Sequence, residues 1–227
     1  GEILGIAGVE GNGQKELAEV ICGIVKASSG SVVLDGQNLE RMSVRKRNEA
    51  GIAYISDDRQ KDSLVTAMSI IDNLVLRDYG KAPFARKGII SRRAKVQNAA
   101  KKMSGYQVRA SGKTGGDTPV KLLSGGNHQK LIIARELNDR ARLIVASQPT
   151  RGLDIGATEF VRTQLTDARN DGKSVLLISA DLEEIMAISD RIAVLFGGRI
   201  VGILDRKDAT VEKIGLLMGG ITKEEDK

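Results

Sequence analysis

Two hydrophobic rhythms alternate along this chain: short unbroken apolar runs bounded by glycine or charged residues, and longer stretches in which apolar residues recur at helical spacing. The runs Ile3–Ala7 and Ile52–Ile55 read as buried strands, and residues 31–34 as a further strand closed by the Asp35-Gly36 turn. Residues 14–23 read as a helix with Leu17, Val20 and Ile21 facing inward. From 63 to 137 the helical period dominates, with Ile70, Ile71, Leu74 and Val75 forming one apolar face and residues 92–103 a more polar helix. The charged turn Asp57-Asp58-Arg59-Gln60-Lys61-Asp62 opens that stretch, and a polar, glycine-rich loop, 111–119, lies inside it. Strands at 143–146, 175–179 and 192–196 then alternate with helices at 156–169 and Leu182–Ile188, where Asp181 and Glu184 have the spacing of a capping box. A last helix, Val211–Met218, precedes a charged tail, 222–227, that is expected to fray.

Such alternation favours an α/β fold built on a mainly parallel sheet covered by helices on both faces. The expected division is 1–62 as the first part of the core, 63–137 as an inserted helical subdomain, 138–220 as the second part of the core and 221–227 as the tail. Composition narrows the class. With 227 residues, 41% of them hydrophobic, the chain can bury one sizeable core or a core plus a small subdomain. The apolar stretch 192–204 is broken by Gly197, Gly198 and Arg199, so it reads as two strands joined by a glycine turn rather than a membrane span. A single cysteine, Cys22, and the lack of a signal peptide agree with a soluble chain in a reducing cytoplasm. The net charge of +6 raises the question of nucleic acid, but the basic residues are dispersed and aromatic residues make up only 3%. Nucleic acid is therefore not an expected partner, and the cluster Arg45-Lys46-Arg47 reads as a solvated face.

Two stretches carry candidate chemistry. Gly8-Val9-Glu10-Gly11-Asn12-Gly13 follows a strand and opens a helix at Gln14 and Lys15, the context in which backbone N–H groups cradle a phosphate. A structural glycine turn with no ligand is the alternative. Leu123-Ser124-Gly125-Gly126-Asn127-His128-Gln129-Lys130 begins a strongly patterned helix in which Leu131, Ala134, Arg135 and Asn138 fall at helical spacing. Ser124 can cap that helix, and an anion at its end would meet unpaired N–H donors and the positive end of the dipole. Ser-Gly-Gly alone would equally suit an ordinary capped helix after a glycine turn.

In order along the chain, these motifs resemble those of ABC-type ATPases. Leu123 to Asn127 resembles the signature motif, Gly8 to Gly13 the phosphate loop, Leu143 to Asp154 the Walker B strand running into the D-loop, and Ser174 to Glu184 the switch strand. The resemblance spans essentially the whole chain and implies an ABC-type P-loop NTPase core with a helical insertion. The stretches ISDDRQKDSL, LSGGN and QPTRGLD look most like the second, C-terminal ATPase domain of tandem-cassette bacterial importers for simple sugars or nucleosides, and the ending GLLMGG tilts toward nucleosides. ABC domains begin with further strands carrying an adenine-stacking aromatic, so the resemblance implies that such a region precedes Gly1.

The same resemblance exposes departures. The family's phosphate-loop lysine and magnesium-binding hydroxyl are replaced by Gln14 and Lys15, and its Walker B aspartate and glutamate by Ser147 and Gln148. Ala180 stands where the switch histidine belongs, and Asp57 where the Q-loop glutamine belongs. Neutral side chains supply neither a metal-binding carboxylate nor a general base. The chain's own site is therefore expected to be degenerate, holding ATP weakly or without hydrolysis and binding no metal, with Lys15 able to bring its ammonium near phosphate only if the loop relaxes. Ser124, Gly125, Gly126, Gly152, Leu153 and Asp154 match the family. In ABC dimers these elements serve the nucleotide on the opposite domain.

The resemblance thus implies a domain that completes the ATP and magnesium site of an N-terminal cassette on the same polypeptide, with Asp57 coupling to membrane permease subunits. An extracytoplasmic binding protein would be an indirect partner, and the location would be the cytoplasmic face of the bacterial membrane. A regulatory or dimerisation module that binds no nucleotide, and a soluble non-transport ABC ATPase, are the alternatives. The lone histidine, His128, reads as a surface residue.

Overall fold

The structure, a computed structural model, describes residues 1–110 and 115–221, so loop positions 111–114 and the tail 222–227 lie outside the described residues. In chain order the elements are β1 (Ile3–Ala7), α1 (Gln14–Cys22), β2 (Val33–Leu34), β3 (Gln37–Asn38), α2 (Val44–Glu49), β4 (Ile52–Ile55), α3 (Ile70–Val75), β5 (Ala85–Arg86), β6 (Ile89–Ile90), α4 (Arg92–Gly105), α5 (Gly125–Glu136), β7 (Leu143–Ser147), α6 (Ile155–Asn170), β8 (Ser174–Ser179), α7 (Leu182–Ile188), β9 (Arg191–Phe196), β10 (Arg199–Asp205) and α8 (Val211–Met218). They fall into two compact units. The first comprises Gly1–Tyr54, Asp139–Pro149 and the chain from Arg162 onward; the second comprises Ile55–Asn138 and Thr150–Val161.

The first unit is built on a six-stranded sheet in the order β10-β9-β1-β8-β7-β4. β1 runs parallel to both β8 and β9, and β7 parallel to β8, while β10 is an antiparallel edge. A strand flanked on both sides and covered on both faces has no wet side, which explains the unbroken apolar run Ile3–Ala7. On one face Ile6 joins Val145, Leu176 and Ile178 in a cluster with Ala18 and Cys22 of α1. On the other face α7 crosses so closely that a Cβ at Gly5 would stand 2.4 Å from Ser189 Oγ and 3.1 Å from Ile185 Cγ2. Only glycine admits the helix there.

Three expectations change in this unit. The buried line of α1 is Gln14, Ala18 and Cys22, one residue per turn, while Leu17 and Ile21 sit at the margin of the core and Val20 is only partly buried. The strand at 31–34 shrinks to β2, because its partner β3 is itself only two residues long across the Asp35-Gly36 turn. Arg47 is not part of a solvated face: it is buried, with Nη1 donating to the Val20 and Ile21 carbonyls at 2.6 and 2.8 Å and Nη2 to the Glu40 carbonyl at 3.4 Å. Its guanidinium adds donors to carbonyls at the C-terminus of α1, where Val20 also accepts from the Gly23 N–H, while Arg45 and Lys46 remain exposed.

In the second unit, α3 buries Ile70, Ile71, Leu74 and Val75, as their spacing requires, and the intervening Asn73 is also fully buried. The Asn73 side chain accepts from the Val65 N–H and donates to the carbonyls of Val65 and Ser69, which fixes the segment leading into the helix. Lys95 of α4 reaches Asp72 of α3 at 2.6 Å. α5 is buried along nearly its whole length and ends in an ionic knot: the fully buried Glu136 carboxylate lies 2.8 Å from Arg135 Nε and 2.9 Å from Arg77 Nε. Burial pushes that carboxyl up, but the charges and hydrogen bonds of Arg135 and Arg77 outweigh it and hold it below the ordinary range. Among the described residues no helix is long and apolar enough to cross a membrane.

Candidate nucleotide loop and signature surface

The loop that leaves β1 turns into α1 at Gly13, whose φ of 106° is the left-handed conformation that favours glycine. Inside the turn lies the Gln14 side chain. Its Oε1 accepts from the Asn12 N–H at 3.0 Å and its Nε2 donates to the Val9 carbonyl at 2.8 Å. A Cβ at Gly8 would come within 2.6 Å of Gln14 Nε2, so the amide is packed against the end of β1. Asn12 then ties the loop to the turn after β9: its Oδ1 accepts from Gly197 N–H at 2.8 Å and its carbonyl from Gly198 N–H at 3.1 Å. Lys15 points elsewhere, 3.8 Å from Glu19 one turn along α1, and its side chain is half exposed.

At the end of β7, Ser147 is buried and Gln148 takes a φ of 48°. Gln148 Oε1 accepts from the Ala180 N–H at 3.3 Å, bridging the two positions where the resemblance expects a base and a histidine. Ser179 Oγ accepts from the Asp181 N–H at 3.1 Å, and Asp181 caps α7 through the N–H groups of Glu183 and Glu184. The expected capping box is thereby altered, since the Asp181 N–H goes to Ser179.

In the second unit, Ser124 caps α5. Its Oγ accepts from the Asn127 N–H at 3.4 Å and from Asn127 Nδ2 at 3.1 Å, and Asn127 Oδ1 accepts from the Arg109 N–H at 2.8 Å. Ser124 and Gly125 are exposed, so this end of α5 faces solvent; Leu123 is buried behind it. A Cβ on Gly126 would lie 3.3 Å from Ala157 Cβ and 3.7 Å from Asp154 Oδ2. Asp154 in turn caps α6, its Oδ1 accepting from the Ala157 N–H at 2.8 Å, after a turn in which Leu153 N–H donates to Thr150 and Gly152 has a φ of 67°. Gly126 and Asp154 are thus neighbours.

Asp57 lines an open cleft of about 500 Å³ with Arg59, Lys121, His128, Gly125 and Arg151. Sequence reasoning passed over Arg59 and Arg151. Arg59 donates to the Arg151 carbonyl and lies beside Gly125, its guanidinium held below the ordinary range by burial. The two are distant in sequence, and no local pattern links them. His128 is a correction: it is buried, with Nε2 2.8 Å from the Val120 carbonyl, because the first turn of α5 packs its ring onto the segment that precedes the cap.

Residues 1–151 match the family described as ABC transporter. This chain belongs to that family. It is 44% identical over 225 residues to the guanosine import ATP-binding protein NupO of Bacillus subtilis, covering 99% of this chain and 44% of that one. It is 41% identical to the nucleoside import ATP-binding protein NupA of Lactococcus lactis, covering 97% and 43%, and 38% identical to the ribose import ATP-binding protein RbsA of Clostridium tetani, covering 94% and 42%. The chain therefore spans under half the length of these relatives. Its fold matches the dimeric ATP-binding cassette MJ0796, solved in a post-hydrolysis state with ADP and Pi, at a TM-score of 0.76 and 22% identity over 90% of this chain and 85% of that one.

The family binds ATP and magnesium, and the residues of this loop do not fit that pair. The Gln14 amide fills the loop, Lys15 offers no oxygen, and Ser147 and Gln148 offer no carboxylate. Among the described residues no group of three or more His, Cys, Asp or Glu side chains is placed to hold a metal ion.

Proposed function

We propose that this chain is the nucleotide-binding domain of an importer for nucleosides or simple sugars, and that it lends its signature surface to ATP and magnesium held by a partner cassette. The relatives named for guanosine, nucleoside and ribose import support the transport reading. The division of the motifs supports the asymmetry. The substituted positions Gln14, Lys15, Ser147, Gln148 and Ala180 fall in the first unit and one, Asp57, in the second; Leu123 to Asn127 and Gly152 to Asp154, which resemble the family's motifs, fall in the second. That division carries the reading. The partners are then an N-terminal cassette on the same polypeptide, permease subunits reached through Asp57 and the helical segment, and indirectly an extracytoplasmic binding protein. The location is the cytoplasmic face of the bacterial membrane. The chain's own loop holds ATP weakly and does not hydrolyse it.

The filled loop favours one second reading, a module that binds no nucleotide and only supports dimerisation. Signature variants in the full-length protein separate the two. Ser124→Ala removes one charge-assisted bond to phosphate and should slow ATP hydrolysis about ten- to hundredfold. Gly125→Asp should abolish it by setting a carboxylate against phosphate. The fold tolerates that change: position 125 is the exposed first turn of α5, where an acid suits the helix dipole, and a Cβ there lies 3.6 Å from Arg59 Nη1. Gln14→Ala should leave most of the activity. Full turnover in both signature variants, with loss on Gln14→Ala, would reverse the assignment.

A further inference from the structure

We propose that the Gln14 carboxamide is a built-in plug of the phosphate loop: it occupies the loop's own anion donor, holds the loop closed without a ligand, and competes with any phosphate that approaches. The inference rests on the reading of this loop as a degenerate site and deepens it by naming what fills it.

The orientation of the amide is fixed by its partners. A carbonyl only accepts and a backbone N–H only donates, so the nitrogen must face Val9 and the oxygen must face Asn12. A lysine at this position could donate to the Val9 carbonyl but could not accept from Asn12, whose N–H would keep only its longer, 3.3 Å bond to the Val9 carbonyl and yield more readily to an anion. Glutamine closes both ends. The plug is also well supported: Gln14 is buried, the amide abuts Gly8, and Asn12 is held in place by Gly197 and Gly198. The neighbouring cation, Lys15, is turned out onto Glu19 and away from a phosphate in the loop.

The test reads the loop directly, in this chain, by hydrogen exchange of the Asn12 amide and by titration with inorganic pyrophosphate, a probe that needs no adenine contact. Gln14→Ala, and the near-isosteric Gln14→Met in case alanine unfolds the turn, should speed exchange at Asn12 about three- to tenfold, since the shorter of its two bonds is lost and the 3.3 Å bond to the Val9 carbonyl remains. Both should bind pyrophosphate at least about fivefold more tightly than the parent, since a donor is released. Gln14→Glu keeps the acceptor but loses the donor and adds charge, and should bind no better than the parent. Unchanged exchange in the alanine and methionine variants would overturn the plug. Pyrophosphate affinity that stays level or falls in them would overturn the competition, because it would mean that Gln14 helps to hold the anion. Neither readout involves turnover, so the outcome is independent of the signature variants in the full-length protein.

Discussion

Glu136 shows how a single residue can be correct for the fold and unreadable from the sequence. Nothing local marks it, because its second partner, Arg77, lies far away in sequence, in the turn that follows α3. Yet it is fully buried, and its carboxyl is held below the ordinary 4.5 by the two guanidinium groups in spite of burial. A carboxyl depressed in the folded state stabilises the protein at pH above its unfolded value, and that contribution is lost as pH falls through the folded value. Glu136→Gln should therefore cost about 3 kcal/mol at pH 7, since it strands Arg135 beside an uncharged amide. The gap should narrow as the pH drops below 4.5 and the parent loses its own charge. Urea midpoints of both proteins at pH 7 and in mild acid measure this, and a gap that is constant with pH would show that the carboxylate charge contributes nothing. Gln14 and His128 teach the same lesson at the site. The sequence tells that Gln14 carries no charge, but where its amide goes depends on the left-handed turn at Gly13, and His128 is buried by a segment that only the folded chain lays against it.

At the scale of elements, the strong periodic signals were readable. Ile3–Ala7, Ile52–Ile55, Leu182–Ile188 and Val211–Met218 are where the hydrophobic pattern places them, because buried strands and amphipathic helices write their environment into consecutive residues. Short polar hairpins do not. β3 and the pair β5 and β6 are two residues each and have no room for a period. What fixes the region between α1 and α2 is Arg47, a charge that looks solvent-facing beside Arg45 and Lys46. It bridges the end of α1 to the segment before α2 through the carbonyls of Val20, Ile21, Met42 and Glu40. Arg47→Ala should lower stability by about 2–4 kcal/mol, losing several hydrogen bonds from a charged donor. Arg47→Lys should recover little, since one ammonium cannot span carbonyls that the guanidinium reaches with separate nitrogens. Equal stability of the lysine variant and the parent in a denaturant melt would refute the bridging role.

For the molecule as a whole, the proposed reading concentrates the lost nucleotide chemistry in the first compact unit, with Asp57 alone in the second, and this sets what can be repaired. In that reading the first unit lacks metal ligands at Lys15 and Ser147, a base at Gln148 and a phosphate clamp at Gln14. Magnesium is held by one or two carboxylates together with nucleotide phosphates, and a carboxylate at position 147 still needs a loop that Gln14 does not fill, so no single change completes a site. Accordingly, the chain should show no magnesium-dependent ATP hydrolysis above background, and each of Gln14→Lys, Lys15→Thr, Ser147→Asp and Gln148→Glu alone should leave nucleotide binding indifferent to magnesium. The four together should restore it, with ATP bound at least about tenfold more tightly in magnesium than in chelator, a difference of about 1.4 kcal/mol. Titrations of the parent, the single variants and the fourfold variant, each with and without chelator, decide the matter. If Gln148→Glu alone conferred magnesium-dependent turnover, the loop in this chain would already be a working nucleotide site, and the defect would be one missing base rather than a unit that has given up its ligand.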